Sequence, residues 1–191
     1  MQTPNAPIAA RGVPQGENIA SAGDIVQFLR LSLGSEKYAV QINAVREILQ
    51  MVPTTPLPLM PPFVRGVMNL RGAVVPVVDL GARLDLPATD VGRRTCVVIV
   101  DVPGIDERRP QTLGLLVDAV YEVFDAPVAD QEAVPRLGTR IDPGFIRSMV
   151  RIRGESTAEL NLSAILDQQL LARLIACHAT DPLSEALTAL A

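Results

Sequence analysis

The chain has 191 residues, of which 48% are hydrophobic and 3% aromatic, and its formal net charge is −4. This length suits one globular domain with tails, two cysteines are too few for a disulfide framework, and the charge and aromatic content do not suit nucleic-acid binding. No apolar run reaches the roughly 18 residues of a membrane-spanning helix and the start lacks a secretory signal, so we expect a cytoplasmic protein that does not insert into membranes.

Three regions are expected along the chain. Residues 1–23 carry prolines, glycines and small polar residues without any period, which predicts a disordered N-terminal tail. Residues 24–168 show the short alternating runs of a folded domain, and residues 169–191 are expected to form a C-terminal helical extension.

The domain begins with strand patterns. The runs 25–33 and 37–42 alternate around Gly34-Ser35, which predicts a hairpin. Residues 44–51 place Val45, Ile48 and Leu49 at helical spacing, so we expect a short helix or helical turn there. The prolines between positions 53 and 62 then predict an extended connector.

The segment VRGVMNLRGAVVPVVDL, residues 64–80, is the most informative part of the chain. It predicts two strands folded back at Leu70-Arg71-Gly72, because Gly72 allows the positive φ of a tight turn. Gly66 predicts that another backbone comes close to the first strand. Turn chemistry does not require an arginine at the tip, so Arg71 is a candidate for contact with a partner.

Further strands are predicted over 95–102, 113–124, 145–153 and 157–162, and strands at this spacing indicate β-barrels or a sandwich. A helix capped by Ser163 is predicted to follow them. No internal repeat is apparent in the sequence.

Motifs for catalysis are missing. The one histidine, His178, lies in the last predicted helix without the helical-bundle context that phosphotransfer needs. No nucleophile elbow, phosphate-binding loop or zinc-ligand spacing occurs, and nothing selects a catalytic pair among the scattered carboxylates. We therefore expect no enzyme activity, no metal and no cofactor.

Glu47 and Arg71 stand out as a possible pair. If the helix predicted over 44–51 packs near the hairpin corner, the two side chains can form a bidentate contact. For an arbitrary pair, the simpler interpretation is a surface salt bridge worth less than about 1 kcal/mol.

The order of these segments resembles the CheW family of chemotaxis coupling proteins. The resemblance rests on YAVQINAVREIL, PTTPLP, PPFVRGVMNLRGAVVPVVDL and LGLLVDAVYEV, and it extends from about residue 24 to residue 168. It implies a mainly β fold of two intertwined five-stranded SH3-like barrels with a hydrophobic groove between them, plus short helices and a C-terminal helix.

The resemblance also implies a function. Members of the family link the cytoplasmic tip of a chemoreceptor to the regulatory domain of a histidine kinase, can assemble into rings, and are recruited to receptor arrays at the membrane. By resemblance, Arg71 and Glu47 organise the signalling surface. The residues implied to surround them are Val45, Ile48, Val67, Asn69 and Leu70.

A second interpretation stays open at this point. The chain can instead be a specialised adaptor of the same fold, which recruits a localisation or motility partner through its C-terminal extension.

Overall fold

The computed structural model describes residues 24–51, 53–103, 110–135, 138–167 and residue 172. The predicted N-terminal tail and, apart from residue 172, the predicted C-terminal extension with His178 lie outside these described residues.

The described residues form eleven strands and two one-turn α-helices. In chain order they are β1 (Ile25–Leu33), β2 (Glu36–Gln41), β3 (Val45–Gln50), β4 (Val64–Leu70), β5 (Ala73–Asp79), α1 (Leu80–Arg83), β6 (Cys96–Pro103), β7 (Pro110–Val117), β8 (Ala119–Pro127), β9 (Gln131–Glu132), β10 (Ile146–Ile152), β11 (Glu155–Leu160) and α2 (Leu162–Ile165).

The strands build two sheets that exchange chain segments. The six-stranded sheet has the order β8-β1-β2-β11-β10-β9, and the five-stranded sheet has the order β3-β6-β7-β5-β4. The chain starts in the first sheet, builds the second from β3 to β7, and returns to the first at β8. The predicted mainly β fold of two intertwined units is thereby confirmed.

Apolar side chains lie in three layers. The largest cluster joins residues of both sheets, such as Leu29 and Val98, and therefore packs between the sheets. A smaller cluster around Ile99 and Met68 belongs to the five-stranded sheet, and another around Phe28 and Val150 belongs to the six-stranded sheet. Burying these side chains supplies the main driving force for folding.

The prediction of a helix over 44–51 was wrong. These residues form β3, which pairs antiparallel with β6, and only residues 42–44 make a short 3₁₀ turn. Burial alternates along β3, with Val45, Glu47 and Leu49 partly buried and the residues between them exposed. The β-branched residues fit a strand as well as a helix, and pairing with β6 decides between the two.

Two other predicted elements need correction. The predicted strand 113–124 is divided at Asp118 into β7 and β8, which belong to different sheets. The last helix begins at Leu162 rather than after Ser163, because the side chain of Asn161 accepts a hydrogen bond from the backbone of Ala164 and so caps it. Within the described residues this helix ends at Ile165.

The structure reveals an internal repeat that the sequence analysis missed. Residues 38–49 correspond to 113–124, and residues 61–84 correspond to 143–166. The strand orders of the two sheets match when β3, β6, β7, β5 and β4 are set against β8, β1, β2, β11 and β10. Each repeat also ends in a one-turn helix capped by Asp79 or Asn161. The described domain therefore consists of two similar halves that have exchanged hairpins.

Candidate functional site

The turn between β4 and β5 presents Arg71 at its tip. Arg71 has φ 53° and Gly72 has φ 89°, and positive φ at both central positions identifies a type I′ turn. The side-chain oxygen of Asn69 accepts a hydrogen bond of 2.8 Å from the backbone N–H of Gly72 and so holds the turn closed.

Arginine is a costly choice at this turn position. A left-handed backbone costs a non-glycine residue roughly 1–2 kcal/mol, and only Asn and Asp tolerate it comparatively well. An exposed ion pair stabilises a protein by less than about 1 kcal/mol. Stability therefore does not account for Arg71, which makes this residue a candidate for a functional role.

Arg71 reaches back across the five-stranded sheet to Glu47 on β3. Its Nη2 donates a 2.8 Å hydrogen bond to Oε2 of Glu47. This confirms the predicted pairing, although the contact is a single hydrogen bond rather than the bidentate one that was expected. The Arg71 side chain is 79% exposed and the Glu47 side chain is 23% exposed. The cation therefore faces outward and the carboxylate lies beneath it.

Gly66 fixes the base of the same hairpin. A Cβ atom at this position would lie 2.1 Å from the carbonyl oxygen of Thr55, and the φ of Gly66 is 127°. The connector passes this close because Thr55 and Val67 exchange two backbone hydrogen bonds of 2.8 Å. The predicted close approach of a second backbone is confirmed, and the two hydrogen bonds tie the connector to β4.

A surface depression of about 360 Å³ lies beside the Arg71–Glu47 pair. Its apolar lining includes Val74, whose surface is 50% exposed, together with Leu70 and Pro110. An apolar floor next to an outward-facing guanidinium suits a partner that brings an apolar side chain and a carboxylate.

A second arginine faces this depression. Arg46 belongs to the same strand as Glu47, and consecutive residues of a strand normally point to opposite faces. A register shift between Val45 and Glu47 marks a β-bulge at Arg46, and bulges re-aim side chains in this way. The Arg46 side chain is held by Asp101 at 3.5 Å and by the hydroxyl of Thr112 at 3.2 Å.

The five residues that the resemblance places around Arg71 and Glu47 do not all lie beside the depression. Leu70 lines the depression with Glu47 and Arg71, and Asn69 supports the turn. Val67 lies at the Thr55 bridge, toward the base of the hairpin. The two remaining residues do not line the depression: Val45 packs partly against the core between the sheets, and Ile48 is 42% exposed. Sequence reasoning missed Arg46, Val74 and Thr112, and only the bulge and the strand pairing reveal them.

The described part of the chain contains neither a cluster of metal ligands nor a membrane-spanning helix. Among those residues, no group of three or more His, Cys, Asp or Glu side chains is arranged to hold a metal ion. No helix formed by them is long and apolar enough to span a bilayer.

Comparison with known proteins identifies the family to which the domain belongs. Residues 27–170 match the family model of the CheW-like domain. The chain is 32% identical to the chemotaxis protein CheW of Rhizobium meliloti over 143 residues, which cover 75% of this chain and 88% of that protein. It is 30% identical to protein FrzA of Myxococcus xanthus over 165 residues, which cover 85% and 92%.

A solved structure agrees with these sequence matches. The crystal structure of the scaffolding protein TtCheW from Thermoanaerobacter tengcongensis superposes with a TM-score of 0.66 at 28% sequence identity. The superposition covers 76% of this chain and 94% of that protein.

Proposed function

Since the chain belongs to the CheW-like domain family, we propose that it is a non-catalytic adaptor that couples chemoreceptor tips to the regulatory domain of a chemotaxis histidine kinase. Proteins of this family are scaffolds of chemotaxis rather than enzymes. The finer assignment concerns which partners this chain joins and through which residues.

The observation that carries the proposal is the exposed, conformationally costly Arg71. A scaffold needs a cation that is held in one direction yet open to solvent, because a pre-oriented side chain loses little entropy when it binds. Arg71 is 79% exposed and uses one nitrogen for Glu47, so its other N–H groups are open to a partner carboxylate.

We assign the kinase contact to this surface. The side chains of Arg71 and Arg46 are 79% and 55% exposed, whereas those of their partners Glu47 and Asp101 are 23% and 32% exposed. The local surface is therefore positive although the groups balance in number. Such a surface favours an acidic partner segment and speeds its association.

The receptor contact calls for a different mode of recognition. Receptor tips are helical hairpins, and helices dock by laying apolar side chains into grooves between elements. In this adaptor role the protein works in the cytoplasm and is recruited to receptor arrays at the membrane. Binding near micromolar affinity, about −8 kcal/mol, suits an assembly that is remodelled during signalling.

The proposal is tested by reconstituting the chain with a receptor signalling tip and the chemosensory kinase from the same genome. Wild-type protein should raise kinase autophosphorylation, and Arg71→Glu should abolish that rise because it places a carboxylate beside Glu47. Exchanging the charges with Arg71→Glu and Glu47→Arg together should restore part of it.

A matched control is Arg140→Glu. Arg140 is 68% exposed and pairs with Glu36 at 3.6 Å, outside the depression described above. It should activate the kinase as the wild type does. Normal activation by Arg71→Glu would contradict the proposed role of this surface.

A further inference from the structure

The connector between β3 and β4 carries an exposed leucine in a left-handed conformation. Leu59 has φ 60° and its relative exposure is 102%. It follows Pro58, and a proline followed by a positive φ is the pattern of a type II turn, whose second central position usually holds glycine or asparagine. A left-handed backbone costs leucine roughly 1–2 kcal/mol, and an exposed side chain gains no burial in return. Stability therefore does not account for Leu59, which makes it a candidate for contact with a partner.

The connector around this leucine is uncharged. Residues 53–62 read PTTPLPLMPP and contain no charged side chain, although 20% of the chain is charged. Pro56, Pro58 and Pro62 are exposed together with Leu59. Exposed proline and leucine without charge suit an apolar partner surface rather than the acidic segment that we assign to Arg71.

The corresponding loop of the second half is built differently. Residues 135–144 contain three charged residues, Arg136, Arg140 and Asp142. When the correspondence of the two halves is extended by two residues, Ile141 takes the place of Leu59, and it is 4% exposed in the apolar layer between the sheets. The same backbone pattern can therefore bury an aliphatic side chain at this position, and the exposure of Leu59 is a property of the first half.

Contacts on both sides of Leu59 hold the connector in place. Before it, Thr55 exchanges two backbone hydrogen bonds of 2.8 Å with Val67. After it, Met60 and Phe63 pack against the apolar layer between the sheets. A side chain that is oriented before binding loses little conformational entropy when a partner covers it. Leu59 thus projects beside this layer as a pre-oriented apolar anchor.

From these observations we infer that Leu59 is the anchor residue of the receptor contact, and that it inserts into the apolar groove between the two helices of a receptor tip. The inference rests on the proposed function and deepens it, because that function requires a receptor contact without naming its residues. Packed helices present grooves and holes between their side-chain ridges, and these accept single side chains of the size of leucine.

The position of the connector allows both partners to bind at once. The connector enters β4 at the base of the β4–β5 hairpin, whereas Arg71 lies at the tip. The seven residues of β4, at about 3.3 Å per residue, separate base and tip by about 20 Å. A receptor helix at Leu59 and a kinase domain at Arg71 therefore occupy different ends of one hairpin, as coupling requires.

Separate measurements of the two affinities test the inference. The purified chain is titrated in a calorimeter with a soluble receptor-tip fragment and, independently, with the isolated kinase regulatory domain. Leu59→Asn should bind the receptor tip about tenfold more weakly than the wild type and the kinase domain equally well. Asparagine tolerates the left-handed position, so this variant removes the apolar side chain without straining the turn. Leu59→Met keeps an apolar side chain and should bind the receptor tip as the wild type does.

A matched control is Ile25→Asn. Ile25 is another exposed aliphatic residue, 64% exposed at the start of β1 in the other sheet, so its variant should bind both partners as the wild type does. Thermal melts should show that Leu59→Asn is as stable as the wild type.

The outcomes separate this inference from the proposed function. Wild-type receptor affinity in Leu59→Asn would overturn the anchor role and leave the proposed function standing. A loss of kinase affinity in that variant, alone or together with receptor affinity, would also overturn the anchor role. No receptor binding by the wild type would overturn the proposed function and this inference with it.

Discussion

The two halves of the described domain have matching hairpin tips, Arg71-Gly72 between β4 and β5 and Arg153-Gly154 between β10 and β11, and they differ in what lies beneath the tip. Beneath Arg71, the five-stranded sheet places fully buried Ile99 and Val77. At the corresponding positions of the six-stranded sheet stand Arg30, which is 7% exposed, and fully buried Glu159. One half is thus apolar under its tip and the other is ionic.

The ionic half tolerates buried charge because each group has partners. Arg30 contacts Glu155 at 2.6 Å and Glu122 at 3.6 Å. Glu159 accepts hydrogen bonds of 2.7 Å from Gln41 and 2.6 Å from Ser148. The comparison teaches that one backbone pattern accepts either interior when the buried charges are paired, even though Nε of Arg30 is buried without a hydrogen-bond partner.

The largest expected effect comes from replacing a residue beneath one tip by its counterpart beneath the other tip. Ile99→Arg buries a charge without a partner in the apolar cluster and should lower the free energy of unfolding by about 4 kcal/mol or more. Arg30→Ile should lower it by less than about 1.5 kcal/mol, because both carboxylates around Arg30 keep a second cation. Urea unfolding of both variants checks the contrast, and equal losses would contradict it.

A second pair of substitutions concerns the base of each hairpin. Ser148 corresponds to Gly66, yet Gly66→Ser should lower the free energy of unfolding by about 3 kcal/mol, since its Cβ would meet the Thr55 carbonyl. Ser148→Gly removes one hydrogen bond to Glu159 and should cost about 1 kcal/mol. Thermal melts followed by circular dichroism measure both. A stable Gly66→Ser variant would show that the connector does not press on the hairpin.

Much of this fold was predictable from the sequence, and the parts that were not have identifiable reasons. The hairpin at 64–80 and the role of Gly66 were predictable because turn chemistry and alternation are local. The strand at 45–50 was not, because its apolar spacing suits helix and strand alike and β6 decides the outcome.

The residues of the candidate site can also be divided into those that the sequence predicts and those that it does not. Glu47 and Arg71 could be proposed as a pair from sequence and family resemblance. Arg46 could not, because a bulge brings it to the same side as Glu47. The matching contact of Arg153 with Glu122 escaped notice because the exchanged hairpins separate the repeated segments, and the identities between them, such as Ala-Val-x-Glu, Arg-Gly and Leu-x-Ala-x-Leu, are short and scattered.

A smaller effect should separate stability from binding at the tip. Arg71→Asn loses an exposed ion pair and gains a residue suited to the left-handed turn, so it should raise the free energy of unfolding by about 0.5–1 kcal/mol. Gly72→Asn serves as the control. The φ of Gly72 is 89°, and asparagine is one of the few residues other than glycine that tolerate a positive φ. A clear loss of stability in Arg71→Asn would mean that the arginine serves the fold.

The smallest effect concerns pH. A hydrogen bond from Arg30 lowers the pKa of the Glu155 carboxyl from its usual value of 4.5. A lowered folded pKa contributes stability that is present above the unfolded pKa and is lost as pH falls through the folded pKa. The difference in Tm between wild type and Glu155→Gln should therefore be present near neutral pH and should shrink as the pH falls below the usual value of 4.5. A constant difference would contradict this assignment.

The central claim is that the exposed Arg71 tip binds the kinase regulatory domain. Calorimetric titration of that domain into the wild type, Arg71→Glu and Arg140→Glu tests it most directly. We expect micromolar binding by the wild type and by Arg140→Glu, and loss of binding in Arg71→Glu. Identical isotherms for all three proteins would contradict it.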